Sequence, residues 1–280
     1  MSAVIGIDLG ATNIRGALVT NNSLSEITSV RIHSDGSVEA VLEDIYQTID
    51  PLLDNDVAAI GIGVPSVVDT NEGIVYDVQY IPSWKEVPLK QILEKRYDKK
   101  VFVNNDANCF ALGEYYFGKG RGAESMIGLT IGTGLGGGVI IHNKLFPGRN
   151  CGAGEFGLLP YKDNILEYYC SGSFFKNVHG LDGVLVFESA KKGDPMALAL
   201  YAELGVHVGN AIKAVMYTYD PERIILGGSV AQAFDWFQQS MWQEIKTLAY
   251  GKSAERIRIE ISNLTNSGIL GAAALYYDAQ

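Results

Sequence analysis

Cysteine is scarce in this chain, with three residues in 280, at positions 109, 151 and 170. So few and so scattered, they exclude a disulfide framework and a four-cysteine zinc site. Charge is sparse as well, 19% of residues where ~25% is usual. Basic residues are outnumbered 22 to 32, giving a net charge of −10. That balance argues against nucleic acid or an anionic membrane as the main partner. It says little about a small anion, because backbone N–H groups bind phosphate without lysine. No apolar run reaches the ~18–20 residues of a membrane span, and no segment is of low complexity. The opening MSAVIGID meets Asp8 at once, unlike a secretory leader. A cytoplasmic protein is expected.

Apolar residues are plentiful, 47% of the chain. That favours a well-buried protein of one large domain or two modest ones. VIGIDLG (4–10) and IRGALVT (14–20) read as strand, tight turn, strand. Val38, Val41, Leu42, Ile45 and Ile49 recur at helical spacing. AAIGIGVP (58–65) and KVFVN (100–104) read as buried strands, with VPLKQILEKRY as a helix between them. The second half repeats the theme. MIGLTIG (126–132) and GVIIHNK (138–144) flank a glycine turn. Asp194 and Pro195 start a long helix that Pro221 ends. RIILGG (223–228) and the alternating RIRIEIS (256–262) are strands, Ser229 caps a helix, and GILGAAALYY (268–277) closes the chain as a helix. Alternating strands and helices predict an α/β fold with a largely parallel sheet.

Residues 5–21 laid over 127–143 match at positions 5, 6, 10, 16 and 21 as Ile, Gly, Gly, Gly and Asn. Two related halves are expected, each opening with a Gly-bearing hairpin and flanking a cleft.

Five glycine or acid sites are candidates for chemistry. In DLGATN, Asp8 leaves an apolar strand; Gly10 allows a turn with φ > 0, and Ala11, Thr12 and Asn13 leave room for a phosphate. An acid beside a phosphate suits Mg²⁺; an ordinary hairpin turn is the other reading. IGTGLGGG holds five glycines in seven residues, where a structural turn needs one or two. Exposed N–H groups of Gly132, Thr133 and Gly134 would explain the excess. A strand follows, so the spacing fits neither a Walker loop nor a dinucleotide fingerprint. Gly227, Gly228 and Ser229 lie where a flat ring could rest on the backbone, or where strand and helix merely pack. In FVNNDANCFALGE, Asp106 falls where a strand stops and a helix starts. It reads equally as a helix cap and as a general base at the ligand-binding end of a sheet. Glu155 and Glu167 stand among apolar and aromatic residues as acceptors for a polyhydroxylated ligand, or as a salt bridge or solvated face. The four histidines form no evident metal set, and Tyr168 and Tyr169 read as core.

Taken together and in this order, these segments resemble the ROK family of sugar kinases and repressors over essentially the whole chain. DLGATNIRGALV resembles the family's first phosphate hairpin and IGTGLGGGVI its second; GVPSVVD (63–69), with Ser66, resembles its sugar-side loop. NNDANCFALGE resembles its catalytic segment, GEFG and LEYYCSG its sugar-contacting signature, and ILGGSV its adenosine segment. The resemblance implies an actin-like ATPase (ribonuclease H-like) fold of two α/β domains, a smaller one over 1–108 plus 269–280 and a larger one over 109–268. It implies ATP, Mg²⁺ and a glucose-like hexose as ligands and a homodimer as the assembly. Asp106 would be the general base for the sugar's 6-hydroxyl, and Asn105 and Asp106 would hold its C3 and C4 hydroxyls. Glu155 and Glu167 would hold those near C1 and C2, and Asp8 would orient Mg²⁺. Gly10, Thr12, Gly132, Thr133 and Gly134 would line the phosphates, with Gly227, Gly228 and Ser229 flanking the nucleoside. The resemblance also marks three departures. Leu158 stands where a histidine is usual, PYKDNI replaces a cysteine cluster, and Tyr80 replaces an asparagine. No structural zinc is expected, and the sugar's identity stays open among glucose, an N-acetylhexosamine, fructose and a β-glucoside. The segment resembling the first phosphate hairpin starts at residue 4, so a repressor's helix-turn-helix ahead of it is not expected. A non-catalytic sugar sensor is the reading from another class.

Overall fold

The structure, a computed structural model, describes residues 2–20 and 23–280. Asn21, the last position of the internal match, lies outside the described residues. The chain forms two compact units, residues 1–122, 138–153 and 263–280 in one, and 123–137 and 154–262 in the other.

In the first unit, β1 (Ala3–Leu9) and β2 (Asn13–Thr20) form the expected hairpin. β3 (Val57–Val64) lies parallel to β1, and β4 (Lys100–Asn105) parallel to β3. Strand period separates two faces. Ile5, Ile7 and Leu9 join Ile60, Ile62, Val101 and Val103 in one core, closed by α1 (Val38–Ile49) and α2 (Leu89–Tyr97) through Ile45, Ile49, Leu89 and Leu93. Each such buried side chain contributes about 1.5–3 kcal/mol. The other face of β1 presents Val4, Gly6 and Asp8. Val4 packs on the C-terminal helix (Ser267–Asp278) through Ile269 and Ala273. Gly6 has no side chain because one would strike the backbone of Ile269. The same strand face then brings Asp8 to the start of that helix, where a Cβ on Gly268 would lie 2.8 Å from the Asp8 carboxyl carbon.

The second unit repeats this order. β5 (Ser125–Ile131) turns through Gly132–Gly134 into β6 (Leu135–Ile141), whose last residues run on into the first unit's segment 138–153. β7 (Arg223–Gly227) is parallel to β5, and β8 (Arg258–Ile261) parallel to β7. β1 and β5 share a burial sequence, in which a half-buried residue, Asp8 or Thr130, interrupts an otherwise buried run. These two occupy equivalent positions in the internal match. The long helix Pro195–Tyr219 starts as expected, with Asp194 accepting from the Ala197 N–H at 2.8 Å. Asp220 ends it in the left-handed region.

Three local expectations are corrected. Ser229 makes no side-chain cap; a single 3₁₀ turn, Val230–Ala233, follows, and the α-helix starts only at Phe234. RIRIEIS is a strand over Arg258–Ile261 alone, because Gly251–Arg256 is helical and the Ile257 N–H still bonds the Ser253 carbonyl at 3.0 Å. The second hairpin's strand starts at Leu135, not at residue 138, and ends at Ile141, since His142 and Asn143 turn with positive φ.

Candidate functional site

Four polar residues meet where β4 runs into α3 (Asp106–Phe117), Asn104 and Asn105 from the strand and Asp106 and Asn108 from the helix. Asn105 caps that helix, its Oδ1 accepting from the N–H groups of Ala107 at 2.8 Å and Asn108 at 3.4 Å. Its amide nitrogen donates to the Ser66 carbonyl at 3.3 Å, which settles the amide's orientation. Beneath it, buried Asn104 accepts at Oδ1 from the Asn105 N–H, from Asn108 Nδ2 and from the Cys151 thiol, at 2.8, 2.9 and 2.9 Å. Asp106 itself is exposed, with Oδ1 on the Ala107 N–H at 2.8 Å. The junction therefore divides its work: Asn104 and Asn108 build a buried support, Asn105 caps, and Asp106 faces solvent. Cys109 lies under Asp106; burial pushes its thiol well up, and the carboxylate of Asp106 adds to this, so it stays neutral. Ser66 lines a cavity of about 440 Å³ with Val67, Asp69, Tyr76, Asp77 and Asn150. Tyr80 is exposed.

Asp8 is 22% exposed and pairs with Arg15 Nη2 at 2.8 Å. It sits at the N-terminus of the C-terminal helix, where the backbone dipoles favour a carboxylate. In the adjoining turn the Gly10 N–H bonds the Asn13 carbonyl at 3.1 Å, and Ala11, Thr12 and Asn13 are exposed. Gly10 has no positive φ, contrary to the sequence expectation; a side chain there would instead meet the Asn13 carbonyl at 2.9 Å.

The glycine-rich segment, with Gly132–Gly137 in the second unit and Gly138 in the first, divides into two functions. Gly132–Gly134 forms the turn, and a Cβ on Gly132 would meet open space. Gly137 and Gly138 lie within β6 and serve packing. A Cβ there would come within 2.6 Å of the carbonyl of Gly154 or of Ala107 respectively. Phosphate binding therefore does not explain the whole glycine excess. The Gly132 carbonyl accepts from the Gly172 N–H at 2.7 Å, and the Thr133 carbonyl from Ser173 Oγ at 2.8 Å. In a trans peptide, N–H and C=O point opposite ways. The N–H groups of Thr133 and Gly134 are thus turned away from residues 172–173, an arrangement suited to an anion. Gly132, Thr133 and Ser229 line one cavity of about 660 Å³, with Phe175, Lys176 and Tyr201 among its other walls. Gly134, Gly227 and Gly228 are not among its lining residues. Gly228 takes φ +88° and backs onto Ile131. Sequence reasoning missed Phe175, Lys176 and Tyr201. FFK follows the SGS turn directly, but no local pattern tells an aromatic wall from an aromatic core.

Glu167 stands in the first turn of α4 (Leu166–Cys170) and accepts at Oε2 from the Leu135 N–H at 2.9 Å. Glu155, on the segment 154–157, keeps part of its surface open to solvent while the rest is covered. Partial burial raises its carboxyl above the ordinary value, and the nearby Glu167 raises it further. A raised folded-state value means stability gained on protonation and lost as pH rises through it. Glu155→Gln should therefore raise the melting temperature at pH 7 by no more than about 2 °C, the gain vanishing below about pH 4. Thermal unfolding across that range checks it.

The segment that departs from the family pattern is a short hairpin, Pro160–Tyr161 paired with Asn164–Ile165. It is fastened to the long helix through His207, whose ring lies 5.7, 5.2 and 5.5 Å from those of Tyr161, Tyr169 and Phe174. Tyr161 Oη is 3.1 Å from His207 Nδ1. Burial lowers the His207 imidazole below its usual value, with Lys162 adding to it, so the ring packs as a neutral group. Leu158 is 60% exposed. Among the described residues no group of three or more His, Cys, Asp or Glu is placed to hold a metal ion. No helix among them is long and apolar enough to cross a membrane.

Residues 4–279 match the ROK family. The chain is 31% identical to a glucokinase of Thermotoga maritima, over 97% of this chain and 96% of that one. It is 25% identical to a xylose repressor of Caldicellulosiruptor bescii, over 98% of this chain and 78% of the repressor. The crystal structure of a ROK glucokinase from Streptomyces griseus with glucose and AMPPNP superposes with a TM-score of 0.80 at 29% identity, covering 98% of each chain. The fold is the actin-like ATPase α/β fold of those kinases. By the match over nearly its whole length, the chain belongs to the ROK family.

Proposed function

We propose that the protein is an ATP-dependent sugar kinase transferring the γ-phosphoryl group to the 6-hydroxyl of a glucose-like hexose. One observation carries the reading: Asn105 caps α3, so Asp106 is exposed at the head of the helix on a buried amide scaffold. A primary alcohol is a poor nucleophile. Asp106 takes its proton as the new O–P bond forms, the old bond from the γ-phosphorus to the bridging oxygen breaks, and ADP leaves with that bond's electron pair. Asn105 and Ser66 contribute to holding the sugar, and Glu155 and Glu167 accept its hydroxyls near C1 and C2. The turn N–H groups of Thr133 and Gly134 offset charge on the phosphates. Ser229 and the aromatic wall of the 660 Å³ cavity take the nucleoside.

Mg²⁺ binds through one or two carboxylates plus phosphate oxygens and water, and Asp8 offers one carboxylate held by Arg15. The donor set fits, and Asp8 would hold the ion, which supplies Lewis-acid neutralisation of the phosphates. The exposed Leu158 and Tyr80 support a substituted or less polar C1/C2 corner, hence an N-acetylhexosamine, fructose or β-glucoside as alternative substrate. The reading includes a cytoplasmic homodimer, which size-exclusion chromatography with light scattering tests.

ADP release with MgATP across a panel of hexoses and derivatives tests the activity, with turnover expected on at least one 6-hydroxyl sugar and none on its 6-deoxy analogue. Turnover on no sugar overturns the kinase reading. Sugar binding without turnover favours a sugar-responsive regulator, the reading that likeness to a xylose repressor supports.

A further inference from the structure

The Glu167 carboxylate lies against the turn that is read above as the phosphate site. Its Oε2 accepts from the Leu135 N–H at 2.9 Å, one residue past the turn. The same oxygen lies where a Cβ on Gly134 would fall, so the carboxylate rests directly against the turn. Gly157 adds a third contact, since a Cβ there would fall 2.5 Å from the Leu135 carbonyl and 3.3 Å from Glu167 Cβ. Just past the end of α4, Gly172 and Ser173 hold the carbonyls of Gly132 and Thr133 at 2.7 and 2.8 Å. The turn is thus fastened at both ends to residues 167–173. A charge-assisted bond holds one end and two neutral bonds hold the other.

We infer that Glu167 is a positioning residue for the phosphate turn, so that it governs nucleotide binding even when no sugar is present. The sugar contact proposed for Glu167 would use its other oxygen, Oε1, since Oε2 is on the Leu135 N–H. The inference rests on the kinase reading, in which 132–134 receives phosphate.

The test is calorimetric titration of MgAMPPNP into the full chain without sugar. Glu167→Ala should weaken binding about tenfold or more, the scale of one lost charged hydrogen bond. Glu167→Gln keeps an acceptor oxygen at the same reach and should stay within about threefold of wild type. Glu167→Asp keeps the charge but falls one methylene short and should behave like the alanine variant; it serves if Glu167→Ala does not fold. A residue acting only on sugar would leave all three titrations at the wild-type value, which overturns the inference. So does a loss in Glu167→Gln equal to that in Glu167→Ala or Glu167→Asp. Wild type that binds no MgAMPPNP overturns the kinase reading along with it, whereas normal wild-type binding with unaffected variants overturns the inference alone.

Discussion

Asp106→Asn is expected to lower sugar-dependent ADP release by about 100- to 10,000-fold while leaving sugar affinity within a few-fold of wild type. The range is that of a lost general base. The substitution is nearly isosteric. Its amide oxygen can still accept from the Ala107 N–H, as Oδ1 of Asp106 does at 2.8 Å. The helix loses no cap, because Asn105 supplies it. What disappears is the group proposed to take the hydroxyl proton. Steady-state turnover, with sugar binding measured separately by calorimetry, separates the two effects. Undiminished turnover would remove Asp106 from the mechanism. An equal loss in affinity and rate would make it a sugar ligand only. The complementary change, Asn105→Ala, removes the cap and should instead cost about 1 kcal/mol of stability.

The second large effect is expected from a residue that touches no ligand. Gly271, in the C-terminal helix, lies against the backbone of Cys109 in α3, so close that a Cβ would overlap the Cys109 carbonyl. Gly113 makes the reciprocal approach, where a Cβ would lie 2.8 Å from the Ser267 carbonyl. Backbone cannot move aside as a flexible side chain does. Gly271→Val should therefore cost about 3 kcal/mol or more by overpacking, lowering the melting temperature by roughly 6–12 °C. It should also reduce turnover beyond what stability explains, because α3 carries Asp106 and the start of the C-terminal helix abuts Asp8. Thermal unfolding and turnover well below the transition check both parts. A melting temperature within about 2 °C of wild type would show that the two helices separate at little cost.

Much of this was legible because it is local. Apolar runs of strand length, broken by Gly-bearing turns, identify both hairpins, and the Asp194–Pro195 pair marks the start of the long helix. The Asn-Asn-Asp-Ala junction announces a cap beside a spare acid, since a helix needs one capping side chain and the sequence supplies several. Each signal depends on neighbours within a few residues, where backbone geometry fixes what meets what. Joined in order, they were enough to mark the family.

Tertiary structure alone decided which glycine serves which purpose and which acid touches which amide. Gly132 faces open space, Gly134 accommodates Glu167, and Gly137 and Gly138 accommodate backbone, although all four stand within seven residues. Gly6 and Gly271 are spared a side chain by partners far along the chain. Phe175 and Tyr201 share a cavity wall with Gly132 across dozens of residues. Glu167 reaches an amide 32 positions away, so its attachment to the glycine turn has no trace in the local pattern. Periodicity and capping report the chain's own neighbourhood. Close approach and hydrogen bonding between distant segments are set by how the helices settle on their sheets, and only the packed structure contains that.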